Sequence, residues 1–264
     1  MKRPPYLIPW LMTLALLPGL ALSKEAKDSS LDRVKKAGIL LIALDPTYPP
    51  MEFEGIKQKV EGFDVDFGTE VGRRLGVKTE FVVMNWDGIL AGLNSGRYDI
   101  IVSSMNITPD RAKVVDFVPY FKLVQVFVTK VGQAVKTSDE LAGKVVAVQA
   151  DTTSHAFVEK EQKRGVKIKD IRAFKLATDT FAAIKSGHAD VTVIDEPVGR
   201  YYAKQEAQTF TVSGEAMSAE PVGIAVKKAD HALKAAIEQA VVDIQKDGTY
   251  KALSTKWFGK EMVL

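Results

Sequence analysis

Short apolar runs alternate along this chain with segments of helical period, and that alternation narrows the fold more than any other feature. Ile39–Leu44, Thr79–Val83, Ile100–Ser103, Val124–Thr129, Lys144–Val148, Val191–Ile194 and Val222–Val226 read as strands. Val65–Leu75, Trp86–Leu93, Ser154–Lys163, Asp179–Lys185, Glu196–Gln205 and Ala232–Lys246 read as helices. The order predicts an α/β fold with a largely parallel sheet and helices on both faces. Ligands of such sheets sit at the carboxyl ends of the strands.

A weak internal repeat suggests two similar α/β lobes. Leu93-Asn94-Ser95-Gly96-Arg97-Tyr98-Asp99-Ile100 resembles Ile184-Lys185-Ser186-Gly187-His188-Ala189-Asp190-Val191, each a helix end, a Ser-Gly turn, an aspartate and a buried strand. Ala37-Gly38 and Ala142-Gly143 likewise precede apolar strands. Chance is the competing explanation, because glycine caps helices everywhere. Val124–Lys130 and Pro221–Lys227 are placed to cross between lobes, and two crossings make a hinge. The expected division is 24–128 plus 225–264 for lobe 1 and 129–224 for lobe 2.

The amino terminus has the pattern of a secretory signal peptide, residues 1–23. Lys2 and Arg3 precede an apolar block within Tyr6–Leu22, and Ala21-Leu22-Ser23 offers a cleavage site near Ser23 before the charged Lys24-Glu25. The block is short for a membrane span and contains Pro9 and Pro18. A periplasmic location follows. The chain has no cysteine, so it can hold no disulfide, thiolate metal site or lipid-bearing cysteine. Its net charge, +3 over the whole chain, gives no reason to expect a nucleic-acid partner. The histidines His155, His188 and His231 make no metal spacing, and neither a metal nor a cofactor is expected.

The segment Ser103-Ser104-Met105-Asn106-Ile107-Thr108-Pro109-Asp110-Arg111 carries the first chemical signal. A buried strand ends in small polar residues, a Pro-led helical turn begins, and an arginine can point back at the strand end. Backbone N–H groups, amide or hydroxyl side chains and a guanidinium fork suit a carboxylate. A helix start with a surface arginine is the other reading of the isolated segment.

Further motifs make a resemblance specific. Tyr48-Pro49-Pro50-Met51-Glu52-Phe53, Gly62-Phe63-Asp64-Val65-Asp66, Asn85-Trp86-Asp87-Gly88, Val115-Asp116-Phe117-Val118-Pro119-Tyr120 and Gly143-Lys144-Val145-Val146-Ala147-Val148-Gln149 follow in order. With them the chain resembles the periplasmic amino-acid-binding proteins of ABC importers, family 3 of the bacterial solute-binding proteins. The resemblance implies a two-lobed type II periplasmic-binding fold, each lobe a mostly parallel sheet flanked by helices, joined by two hinge strands. It implies a non-enzymatic receptor, expected to be monomeric, that closes on a free L-amino acid and delivers it to a membrane permease.

Carried over position by position, Arg111 pairs with the ligand carboxylate, helped by Ser104, Asn106, Thr152 and Thr153, and Asp195 takes the ammonium. Asp45, Tyr48 and Trp86 would recognise the side chain, two rings and an acid suiting arginine, lysine, histidine or glutamine. Taken alone, Tyr48 and Trp86 read as turn and core packing, and the other reading of Asp195 is a helix N-cap. Gln125 and Gln149 are weaker contacts. Asp151 stands where the family usually has glycine, and either adds negative potential to the pocket or caps the following helix. Asp64, Asp66, Asp99 and Asp190 read as structural. The enzymatic alternative on this fold is a secreted cyclohexadienyl (prephenate or arogenate) dehydratase, with Asp151, Asp195 or Glu196 as general acid.

Overall fold

The computed structural model describes residues 1 and 28–262, so all of the expected signal peptide except Met1 lies outside the described residues. Helix α1 (Ser30–Ala37) leads into β1 (Ile39–Leu44), whose Leu40, Ile42 and Leu44 are fully buried. Short strands β2 (Thr47–Tyr48), β3 (Glu52–Glu54) and β4 (Val60–Glu61) follow, then α2 (Phe63–Leu75) and β5 (Lys78–Val83). Next come α3 (Ile89–Asn94), β6 (Ile100–Ile101), α4 (Pro109–Val114) and the long β7 (Val115–Lys130). The chain continues through β8 (Val145–Gln149), α5 (Thr153–Arg164), β9 (Asp170–Phe174), α6 (Ala177–Ser186), β10 (Val191–Asp195) and α7 (Glu196–Gln205). A second long strand, β11 (Phe210–Lys227), precedes α8 (His231–Lys246) and α9 (Thr249–Phe258).

Among the described residues the main sheet has eight strands in the order β5-β1-β6-β11-β7-β10-β8-β9, and β2-β3-β4 form a separate small sheet. β1 runs parallel to β5 and β6, and β8 runs parallel to β9 and β10. β7 and β11 are antiparallel to each other and to their outer neighbours, β10 and β6. Two parallel half-sheets are therefore spliced by two long antiparallel strands. β11 meets β6 at Ala225 and Val226, whereas β7 meets β10 from Gln125 to Thr129. Between these contacts β11 changes register around Met217, and such bulges bend a strand. We propose the lobe boundaries at these changes of partner, near Gln125 and between Met217 and Glu220, a few residues ahead of 128 and 224.

The two crossing strands are longer than their apolar runs suggest. Val115–Leu123 contains Pro119, which is exposed and tolerable because β7 is an edge strand in that half. Ser213–Ala219 lacks any apolar alternation yet stays extended in β11. The internal repeat has a structural counterpart. Gly96 and Gly187 turn with φ of 77° and 79°. Asp99 Oδ2 then accepts the Leu41 N–H at 2.9 Å, and Asp190 Oδ2 accepts the Val145 N–H at 2.7 Å. Each aspartate locks the start of a central strand, a structural role in both copies.

Beneath the first half-sheet Phe63, Phe67, Tyr120 and Phe121 pack as a buried aromatic cluster, with the Phe67 and Tyr120 rings stacked at 4.8 Å. Such rings combine large apolar burial with directional packing. The cluster fixes α2, whose first turn enters through Gly62 at φ 139°. A Cβ at Gly62 would stand 2.2 Å from the Met51 carbonyl oxygen. Gly62→Ala should therefore cost about 3 kcal/mol of folding stability, from backbone strain plus overpacking. Denaturant unfolding measures this, and an unchanged midpoint would contradict the packing described.

Candidate functional site

The carboxyl ends of the parallel strands from both halves meet in one cleft. β1 delivers Asp45, β6 delivers Ser103, Ser104 and Asn106, β8 delivers Gln149, Thr152 and Thr153, and β10 ends on Asp195. With Tyr48, Glu52, Trp86, Gln125 and Ser154 these residues line a narrow cavity of about 30 Å³.

Hydrogen bonds across the cleft hold the halves together. Tyr48 Oη donates to Asp195 Oδ2 at 2.8 Å, and Gln149 Nε2 donates to Asp45 Oδ2 at 2.8 Å. Thr153 Oγ1 donates to Asn106 Oδ1 at 3.1 Å. Trp86 Nε1 and Arg111 Nη2 both donate to the Asp151 carbonyl oxygen at 3.1 Å. Gln125, on β7 between the halves, donates to Thr153 Oγ1 at 2.6 Å and accepts from Ser154 Oγ at 3.0 Å. Thr152 caps α5: its Oγ1 accepts the His155 N–H at 3.2 Å and donates to the Gln149 carbonyl at 2.7 Å. The opening turn of α5 thus presents its N–H groups and its positive dipole end to the cavity.

Two non-glycine residues hold left-handed backbone at opposing strand ends, Ser104 at φ 43° and Asp151 at φ 60°. Ser104 is held by Asp64 Oδ2, which accepts its N–H at 2.6 Å and its Oγ–H at 2.9 Å, while Tyr120 Oη donates to Asp64 Oδ1 at 2.7 Å. A fully buried aspartate with these partners enforces a conformation that costs energy, and so aims the Ser104 region at the cavity. The Asp151 conformation is one that favours glycine and that only a few other residue types tolerate, aspartate among them. The Asp151 side chain is exposed and outside the cavity lining; its carbonyl is the part that engages the cleft.

Arg111 also stands at the edge of the cavity rather than in its lining. Nη1 donates to the Asn106 carbonyl at 3.0 Å, and the guanidinium lies 5.2 Å over the Trp86 ring. Further N–H groups of the fork make no hydrogen bond among the described residues and can take a carboxylate. Burial pulls Arg111 down to about 10, which leaves it cationic at neutral pH. Asp195 is 2% exposed and its Oδ1 has no hydrogen-bond partner among the described residues. Loss of solvation pushes its carboxyl up to about 7, against the opposing pull of the Tyr48 hydroxyl and Arg111. An acid and a guanidinium in one cleft match the two charges of a zwitterion.

The structure brings Asp45, Tyr48, Trp86, Ser104, Asn106, Gln125, Gln149, Thr152, Thr153 and Asp195 around one cavity, with Arg111 at its edge. Sequence reasoning missed Ser103, Ser154 and Glu52, and also Glu220, whose carboxylate accepts from Asn106 Nδ2 at 3.3 Å. Ser103 and Ser154 are sequence neighbours of residues already singled out. Glu52 carried a signal, an acid between Met51 and Phe53 in an apolar motif. Asp66 accepts from Lys256 Nζ at 2.6 Å and Trp257 Nε1 at 2.7 Å, a structural role.

The sequence model of the bacterial extracellular solute-binding proteins, family 3, matches residues 40–260. The chain belongs to this family. The L-cystine-binding protein TcyJ of Escherichia coli K12 is 34% identical over 95% of this chain and 94% of its own length. The ABC transporter arginine-binding protein 1 of the same organism is 30% identical over 80% of this chain and 87% of its own. Among solved structures, the ancestral amino acid-binding protein AncCDT-1, a precursor of cyclohexadienyl dehydratase, superposes with a TM-score of 0.81. It is 37% identical and covers 87% of this chain and 100% of its own. These relatives are binding proteins, and the chain is an amino-acid-binding component of this transporter family, not an enzyme. No helix among the described residues is long and apolar enough to cross a membrane.

The state of Asp195 has a measurable consequence. Its folded carboxyl keeps a proton to about 7, whereas an unfolded one releases it near 3.8. The folded state therefore binds more protons, and stability falls as pH rises from about 4 to about 7, by at most ~1.4 kcal/mol per pH unit for one group. Asp195→Asn should flatten that slope by about one proton's worth in equilibrium unfolding across this range; an unaltered slope would refute the assignment.

Proposed function

We propose that this chain is an exported, monomeric receptor, cleaved near Ser23, that captures one L-amino acid with a basic or amide side chain for the permease of an ABC importer. The observation that carries the reading is the charge of the cavity. Asp45, Glu52 and Asp195 line it, no lysine or arginine does, and the Arg111 guanidinium stands at its edge.

In this reading the ligand carboxylate lies against Arg111, Ser104, Asn106 and the start of α5, and the ammonium pairs with Asp195 Oδ1. The side chain runs past Tyr48 and Trp86 toward Asp45. Cations and amides gain hydrogen bonds there, whereas an aliphatic chain would leave buried acceptors unpaired. L-Cystine, the ligand in the name of TcyJ, carries two carboxylates, and this cavity offers one guanidinium. Because the ligand touches residues of both halves, it favours the closed arrangement over an open one. Gln125 and the bulges of β11 lie where the halves would pivot.

Titration calorimetry of ligand-stripped protein against the twenty L-amino acids, L-cystine and prephenate tests the reading. Arginine, lysine, histidine or glutamine should bind with Kd between about 1 μM and 1 nM. Arg111→Ala should weaken that binding by about 3–5 kcal/mol, on the order of 10²–10⁴ in Kd, because a desolvated carboxylate loses its partner. Tightest binding of L-cystine would overturn the side-chain assignment, and turnover of prephenate would overturn the receptor reading itself.

A further inference from the structure

Glu52 sits in the small β3 strand, is 1% exposed and lines the cavity. Its Oε1 accepts the Ser103 Oγ–H at 2.7 Å; its Oε2 is buried and receives no donor among the described residues, the carboxyl lying in hydrogen-bonding contact with that of Asp64. The buried carboxyl of Asp64, on α2, is its close neighbour, and the two resist ionising together. Asp64 has the better claim to the charge, because the Ser104 N–H, the Ser104 hydroxyl and the Tyr120 hydroxyl all donate to it. Glu52 has one donor. Desolvation first and Asp64 second push the Glu52 carboxyl well above the usual range.

The other titratable groups around Glu52 are Asp45 at the end of β1, Tyr48 on β2 and Tyr120 on β7. None of them is cationic. A neutral carboxyl can donate its O–H to an amide oxygen, and an ionised one can pair with a guanidinium or ammonium. Resting on the reading of this cavity as an amino-acid site, we propose that Glu52 is a specificity-determining residue whose proton adapts one cavity to two ligand charges. With an amide side chain Glu52 keeps its proton and donates it in a hydrogen bond. With a cationic side chain the Glu52 O–H bond breaks, the proton passes to solvent, and the carboxylate pairs with the incoming cation. Net charge in the cavity then stays the same for both ligand types. The proton travels as the counterpart of the cation.

Calorimetry of the full mature protein at pH 8 in two buffers of different ionisation enthalpy reads the protons released per ligand bound. At that pH Asp195 is already ionised and contributes little. Arginine or lysine should release up to about one proton more than glutamine does. Glu52→Gln, which has no proton to release, should remove that difference and weaken arginine or lysine more than about tenfold relative to glutamine. The wild-type comparison stands even if the variant folds poorly. Equal proton release for cationic and amide ligands would overturn the proposal and leave the receptor reading intact, and so would binding confined to neutral amino acids other than glutamine. Failure of every amino acid to bind would overturn both.

Discussion

A cleft that buries four carboxyl groups must neutralise or satisfy each of them. Asp45, Glu52, Asp64 and Asp195 are all less than 4% exposed. Unpaired charges in such surroundings are costly, and the architecture answers each case differently. Asp64 collects three donors and works as a buried strut under Ser104. Asp45 accepts from Thr47 Oγ1 at 2.9 Å and from Gln149 of the opposite half, and its carboxylate has lone pairs left for a ligand. Asp195 is half satisfied by Tyr48, and its buried Oδ1 has no hydrogen-bond partner among the described residues. The acids left incomplete are the ones a ligand would complete.

This arrangement couples recognition to the geometry of the whole chain. Asp45, Tyr48 and Arg111 belong to the half built on β1, β5 and β6, and their partners Gln149, Asp195 and Asp151 to the half built on β8, β9 and β10. Among the described residues only β7 and β11 connect the halves within the sheet, and they do so side by side, with register shifts in β11 between their two sets of outer contacts. A splice of two strands transmits a rigid rotation more readily than a slide. Closing the cleft desolvates the acids further, which penalises closure without a cation and favours it with one.

Much of the fold was legible in the sequence because its central strands are short, apolar and bounded by turn residues. β1 and α7 have the bounds expected, and β10 differs by one residue. The repeated Ser-Gly-x-x-Asp unit announced two comparable halves, and the aspartates do the same job in each. What stayed hidden depends on tertiary context. β9 and the small β2–β4 sheet are only partly buried, so they lack a clean apolar pattern, and the middle of β11 is extended because β7 runs beside it. Most of the cavity lining was legible through motifs at strand ends. Asp151 was half read: its unusual backbone follows from its place in the turn, but its side chain points to no role in the cavity. Glu52 was missed because a buried acid in an apolar stretch shows its purpose only when Asp64 and Ser103 are brought beside it.

The central claim is that an amino acid bound among Arg111, Asp195 and Asp45 draws the two halves into the closed arrangement. The chain has no cysteine, so spin labels can be attached at cysteines introduced at exposed Lys113 and Lys163, one in each half. Pulsed electron–electron distance measurement with and without saturating arginine or glutamine then reads the cleft directly. The account predicts a single, shorter distance with ligand and a longer or broader distribution without it. Identical distributions in the two conditions, with binding verified on the labelled protein, would contradict it.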